Sequence, residues 1–235
     1  MKIGIITANY DRPHVFRMWC ASIKRLRGVY GDIPVVVTSE KEDIPICEEY
    51  DITHVVCKNK PLSRKFNRSM LAMKKYDPDY VMVLGSDDIV SNDLFGKIRD
   101  EAERGYSVIA ISNIYYFSPY VSRNFVKFSS TRLLGVCRTV HKKILSSVDW
   151  TPWNWDRGHG LDANMWNNIR DHVLGDIMIV DGMVVDVKTK INMNSYNLWA
   201  SKVNGLNVRF EDEQEFLDIL SEEELEILTK IKGKR

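Results

Sequence analysis

An apolar run, Val81-Met82-Val83-Leu84, stops at Gly85-Ser86 and is followed at once by two adjacent carboxylates, Asp87 and Asp88. A strand that delivers acidic side chains to its carboxyl end is suited to a hard divalent cation. Mg2+ and Mn2+ take oxygen ligands and commonly share one or two carboxylates with substrate phosphates. A cation held there would bridge a diphosphate and neutralise the charge that develops as it leaves. The same dipeptide also fits a turn that caps the next helix. A basic pair, Arg64 and Lys65, opens a helical segment, where the helix N-terminus and the side-chain charges both favour an anion. Trp150, Trp153, Trp155 and Trp166 form an aromatic set in a single stretch. Indole faces pack on the C–H faces of sugars and the indole N–H bonds a hydroxyl, so one or two of the four suit an acceptor site while at least one is expected in the core.

The elements that must position these residues are legible in the first half of the chain. Lys2–Thr7, Ile33–Thr38, Thr53–Cys57 and Tyr80–Leu84 read as strands, rich in β-branched residues and apolar on both sides. His14–Arg27 reads as a helix opened by Pro13, and Ser63–Tyr76 as a second, with Phe66, Met70 and Met73 on its buried face. Strands of this kind joined by helices predict an α/β fold with a mostly parallel central sheet covered on both faces, and ligands beyond the carboxyl ends of its strands. Asn92–Arg104 continues as helix, Ser107–Ser112 as strand, Asp162–His172 as helix, and Ile177–Val180 and Val184–Val187 as strands. Residues 113–130 are aromatic and polar and receive no element. From Arg209 the chain reads as an amphipathic C-terminal helical extension, in which Ser221-Glu222-Glu223-Glu224 fits a capping box.

Composition narrows the function classes. Lys+Arg 33 against Asp+Glu 32 leaves a net charge of +1, without the bulk basicity of a general nucleic-acid binder, so no nucleic-acid partner is expected. The four cysteines contain no C-x-x-C pair, so they read as reduced and mostly buried. The apolar run Ile3–Ile6 is too short for a signal or a membrane span, which makes the cytoplasm the expected compartment. The basic tail from Lys230 to Arg235 offers at most a surface contact with an anionic membrane, and otherwise reads as a solvated helix end. No G-x-x-x-x-G-K-[ST] and no G-x-G-x-x-G after the first strand occur, which excludes a P-loop and a dinucleotide fingerprint.

The succession of strand, Thr7-Ala8-Asn9-Tyr10-Asp11-Arg12, second strand with Glu40, basic helix start and strand-Asp-Asp resembles glycosyltransferases of the GT-A fold. It is most similar to small inverting enzymes related to glycosyltransferase family 2. The resemblance covers about residues 1–195 and implies a GT-A-like domain over 1–205, with a nucleotide-binding part about 1–112, an acceptor part about 113–205, and the helical extension at 206–235. It implies that Thr7, Ala8, Tyr10, Arg12 and Glu40 hold the nucleoside, and that Arg64, Lys65 and Asn67, within Asn59–Asn67, help with the nucleotide. The family's metal-binding D-x-D falls on Ser86-Asp87-Asp88. Ser86 stands where the first carboxylate belongs, which leaves Asp88 for Mn2+ or Mg2+ and Asp87 for the ribose or a supporting role. Asp162, at the start of its helix, corresponds to the base that takes the acceptor hydroxyl's proton, with an N-cap as its other reading. His159, between Gly158 and Gly160, is the second candidate base. A late loop implies a phosphate contact from Lys188 and bonds from Asn192 or Asn194.

The implied activity is transfer of a sugar from a nucleoside-diphosphate sugar, a UDP-sugar first, to a glycan or other hydroxyl acceptor, with inversion. Two alternatives stand beside it. One is a GT-A-like domain that binds a glycan or a protein without turnover. The other is a sugar nucleotidyltransferase, disfavoured because the segment after the first strand, residues 7–13, contains no glycine.

Overall fold

Short β-branched runs form the strands, and amphipathic helices between them cover both faces of the sheet they build. The computed structural model describes residues 1–173, 175–189, 196–202 and 207–233, so Asn192 and Asn194 lie outside the described residues, as do Lys234 and Arg235. The first half runs β1 (Ile3–Ala8), α1 (Pro13–Tyr30), β2 (Val35–Ser39), α2 (Ile44–Glu49), β3 (Thr53–Val56), α3 (Leu62–Met73), β4 (Tyr80–Val83), β5 (Asp88–Val90), α4 (Asn92–Glu103) and β6 (Val108–Ile111). It continues with β7 (Asn113–Phe117), β8 (Phe125–Ser129), β9 (Thr139–His141), α5 (Lys142–Ser147), α6 (Leu161–Ile169), β10 (Ile177–Val180) and β11 (Val184–Val187). The last elements are α7 (Tyr196–Ala200), β12 (Val208–Phe210), α8 (Glu213–Leu217) and α9 (Glu222–Lys232).

The main sheet has the strand order β10-β6-β9-β4-β1-β2-β3. β1 is parallel to both β2 and β4, β2 to β3, and β6 to β10, whereas β9 runs antiparallel between β4 and β6. Alternate residues of each central strand serve opposite faces. Ile3, Ile5, Val35 and Val37 face the core under α1, with Phe16, Trp19 and Ile23, while Ile6, Ala8 and Val36 meet Phe66, Met70 and Met73 of α3. Burial on both faces is why these strands lack polar alternation, and each large side chain so buried contributes about 1.5–3 kcal/mol. Pro13 occupies the first turn of α1, where its missing N–H costs nothing.

A second sheet, β12-β8-β7-β11-β5, starts where the first ends. Residues 113–130, given no element from sequence, supply its antiparallel pair β7–β8. Their pattern is masked because β7 is aromatic and opens on a polar Asn113. The C-terminal stretch is integral to the domain: β12 pairs with β8, and α9 lies on α1 with Ile227, Leu228 and Ile231 in the core. The capping box is present in both halves, Ser221 Oγ accepting from Glu224 N–H and the Glu224 carboxylate accepting from Ser221 N–H. All four cysteines are buried and unpaired with one another. No helix among the described residues is long and apolar enough to cross a membrane.

Candidate active site

The carboxyl ends of β1 and β4 meet in a network of buried polar groups. Asn9, fully buried after β1, donates from Nδ2 to Asp43 Oδ2 at 2.8 Å and accepts from Ser86 Oγ at 2.9 Å. Ser86 Oγ in turn accepts from Arg12 Nη2 at 2.6 Å, and Arg12 Nη1 donates to the Asp87 carboxylate. Lys65 Nζ donates to the Asn9 carbonyl and, at 3.3 Å, to Asn59 Oδ1. Burial lowers the Lys65 pKa to about 8. Ser86 is thus a hydrogen-bonding relay between Asn9 and Arg12.

The register of the second sheet brings a third carboxylate to the pair named from sequence. Asp186 on β11 is opposite Asp88 on β5, and on its other side opposite Tyr116 on β7, so the three share one row across the sheet. Ligand oxygens of Asp87, Asp88 and Asp186 lie within 4.8 Å of one another. Gly85 permits the arrangement, since a Cβ there would stand 2.8 Å from both Asp87 Oδ1 and Asp88 Oδ2. Burial, and then the charge of Asp87, pushes the Asp88 carboxyl well above its ordinary value. The same two causes raise Asp186, with Lys188 acting the other way. Lys188 Nζ donates to Asp186 Oδ2 and sits 5.2 Å from the centre of the Tyr116 ring.

These residues fit a divalent cation. The donors are hard oxygens, their mutual repulsion is only partly offset by Arg12 and Lys188, and Asp186 Oδ1 is buried without a hydrogen-bond partner. Tyr116 reports on the wider site. Burial first, then the charges of Asp186, Asp88 and Asp162, raises its hydroxyl far above the ordinary value. Asp162 therefore acts on the same hydroxyl as the acidic cluster. It lies in the first turn of α6, exposed, with its carboxylate against Gly135, where an added Cβ would fall 1.9 Å from Oδ1. Its backbone carbonyl accepts from Arg138 Nη1 at 2.8 Å, so a buried guanidinium anchors the turn that carries it.

No family model and no curated protein matches the sequence. Solved structures do. S. aureus TarS 1-349 superimposes with a TM-score of 0.57 at 14% identity, over 80% of this chain and 60% of that one. The same fragment in complex with UDP-GlcNAc gives 0.55 at 14% identity, over 82% and 60%. Mannosyltransferase PcManGT from Pyrobaculum calidifontis, in complex with GDP-Man and Mn2+, gives 0.57 at 12% identity, over 84% and 59%. The fold is GT-A-like. The chain spans about 60% of the length of the TarS fragment it matches.

Within this GT-A-like frame, the other residues named from sequence are spread unequally. Thr7 and Ala8 end β1, buried, and Tyr10 is 43% exposed beyond it. Glu40 follows β2 and is exposed. Arg64 is half-exposed at the start of α3, 3.7 Å from Asp156. Lys65 turns inward to the Asn9 carbonyl and presents little to solvent. Asn67 is buried, and its amide donates to Trp153 O at 2.7 Å and accepts from Trp153 N–H at 3.2 Å. It fixes the tryptophan loop to α3. Trp150 and Trp153 fill the core under that loop, Trp155 is 41% exposed, and Trp166 lies under the Arg138 guanidinium at 5.9 Å.

Sequence reasoning missed Asp186, Asp43, Tyr116 and Arg138. Asp186 interrupts the apolar run Val184-Val185-Asp186-Val187, and a charge inside a buried strand is the signal that marks it. A cavity of about 390 Å3 lies elsewhere, between the β7–β8 loop and residues 210–213, and includes none of the three acidic residues.

Proposed function

We propose that the protein is a glycosyltransferase that moves a sugar from a nucleoside-diphosphate sugar to an acceptor hydroxyl with inversion. The observation that carries the reading is the cluster of Asp87, Asp88 and Asp186, with one oxygen unpartnered, at the strand ends of a GT-A-like sheet. Neighbours of the same fold bind UDP-GlcNAc and GDP-Man, the latter with Mn2+, which supports a nucleotide-sugar donor, a UDP-sugar first.

In this reading Thr7, Ala8, Tyr10, Arg12 and Glu40 receive the nucleoside, Arg64 faces the diphosphate, and Lys65 and Asn67 hold the surrounding chain in place. Asp88 and Asp186 are the principal ligands for Mn2+ or Mg2+, with Asp87 beside them. The cation, when bound, neutralises charge on the departing diphosphate. Asp162 takes the proton of the acceptor hydroxyl while that oxygen forms a bond to the anomeric carbon. The bond from that carbon to the diphosphate oxygen breaks on the opposite face, and its electron pair leaves with the nucleoside diphosphate. The exposed Trp155 and the half-buried Trp166 offer faces for the acceptor.

The test is the thermal midpoint with UDP, GDP, CDP and ADP, each with and without Mn2+, since a bound ligand raises it by mass action. One nucleotide is expected to raise the midpoint, more so with Mn2+, and the Mn2+ increment is expected to vanish in Asp88→Asn. Asp162→Asn should keep the nucleotide shift and lose transfer by about 100-fold or more. Silence of the folded protein across the panel would overturn the reading.

A further inference from the structure

The two oxygens of Asp186 stand in different circumstances. Its Oδ1 is buried and unpartnered, while its Oδ2 accepts from Lys188 Nζ, which is itself buried at 5% exposure. The Lys188 backbone is fixed, since its N–H donates to Phe117 O at 2.7 Å at the end of β7. The freedom at this position belongs to the side chain, a point charge on a flexible four-carbon stem. Three carboxylates face two cationic side chains, Arg12 on Asp87 and Lys188 on Asp186. A divalent ion entering the cluster therefore meets a formal charge of about −1, where the carboxylates alone would offer about −3.

We propose that Lys188 competes with the divalent cation for Asp186, and that a diphosphate relieves the competition by drawing the ammonium onto its own oxygens. The inference rests on the transferase reading for the identity of the anion, and goes beyond it in making metal and nucleotide bind as an interdependent pair. Oδ1 leaves the ion a foothold, so the metal alone binds weakly rather than not at all. Once phosphate oxygens lie beside the cluster, Lys188 gains a more highly charged partner and both Asp186 oxygens become available. Coupling of this kind is reciprocal: the nucleotide must tighten the metal by the same factor as the metal tightens the nucleotide.

The experiment is a titration of the full chain with Mn2+ alone, followed by the electron paramagnetic resonance signal of free Mn2+, then repeated with saturating UDP and with GDP. Lys188→Met is expected to bind Mn2+ alone about 10-fold more tightly than the unchanged protein, because the competing charge is gone. Lys188→Arg should stay within about 3-fold of it, because the charge is kept. The nucleotide should tighten Mn2+ by about 10-fold in the unchanged protein and by clearly less in Lys188→Met. A cooperatively melting Lys188→Met with equal or weaker Mn2+ affinity overturns the proposal, as does Lys188→Arg binding as tightly as Lys188→Met. If the Met variant does not melt cooperatively, Lys188→Gln, which keeps a donor for Asp186 without the charge, takes its place under the same criteria. Silence of all four nucleotides in the thermal panel would defeat the transferase reading, while the comparison with Mn2+ alone would still decide the role of Lys188.

Discussion

Two buried ionic centres lie at opposite ends of β5, and they are built to different standards. At the far end, Arg25 and Glu224 form a closed set. Arg25 donates from Nε to Glu224 Oε2 at 2.8 Å, from Nη1 to Asn92 Oδ1 at 2.6 Å and from Nη2 to Val90 O at 2.9 Å. Glu224, fully buried, also accepts from the Ser221 N–H and hydroxyl. At the near end, three carboxylates share two cationic side chains, and one oxygen has no partner. A buried charge whose every lone pair is satisfied holds a fold together, whereas one left incomplete costs stability and is kept for what it can bind.

Removing a member of the closed set should do the most damage. Glu224→Ala strands the Arg25 guanidinium and removes half of the capping box, and is expected to cost about 3–5 kcal/mol in urea unfolding. Lys65 is the next largest effect, a buried ammonium held by a carbonyl and an amide. Its pKa is lowered to about 8 by burial, from 10.5. The unfolded chain therefore binds more protons between those values, and stability must rise with pH across that window, by up to about 3 kcal/mol. Lys65→Met should flatten this rise when urea midpoints are compared from pH 7.5 to 10.5; a parallel profile would refute the assignment. Ser221→Ala opens the closed set only at its edge and should cost about 1 kcal/mol in the same unfolding assay. Asp186→Asn should be smallest of all in stability, within about 1 kcal/mol and on the stabilising side, because it relieves repulsion. It should nevertheless abolish the Mn2+-dependent shift, and retention of that shift would mean that Asp186 is no ligand.

How much of this was legible in the sequence follows from where each signal lies. The parallel half was readable because its strands are apolar on both faces and its helices carry their own start signals, as with Pro13 and the periodic Phe66, Met70 and Met73. The strand that runs into Gly85-Ser86-Asp87-Asp88 was readable for the same reason. Asp186 joins them through cross-strand register, which depends on how β11 slots between β5 and β7 and leaves no local trace except a charge in an apolar run. The β7–β8 pair was hidden because β7 is aromatic and opens on a polar Asn113, where the first strands are runs of β-branched residues. Lys65 was read from its place at a helix N-terminus and Asn67 from the family resemblance, and neither signal carries the backbone partners that the fold gives them, the Asn9 carbonyl and Trp153.

Arg25 has a consequence for the order in which the molecule is made. It holds the Val90 carbonyl at one end of the strand that begins with Asp88, and is itself held by Glu224 in α9. During synthesis from the N-terminus, Asp87, Asp88 and Asp186 all emerge before that helix does. A nascent chain stopped short of residue 222 has every proposed metal ligand but no clasp on β5. Competence to bind should therefore appear abruptly, when α9 closes over α1, rather than growing as the ligands are added one by one.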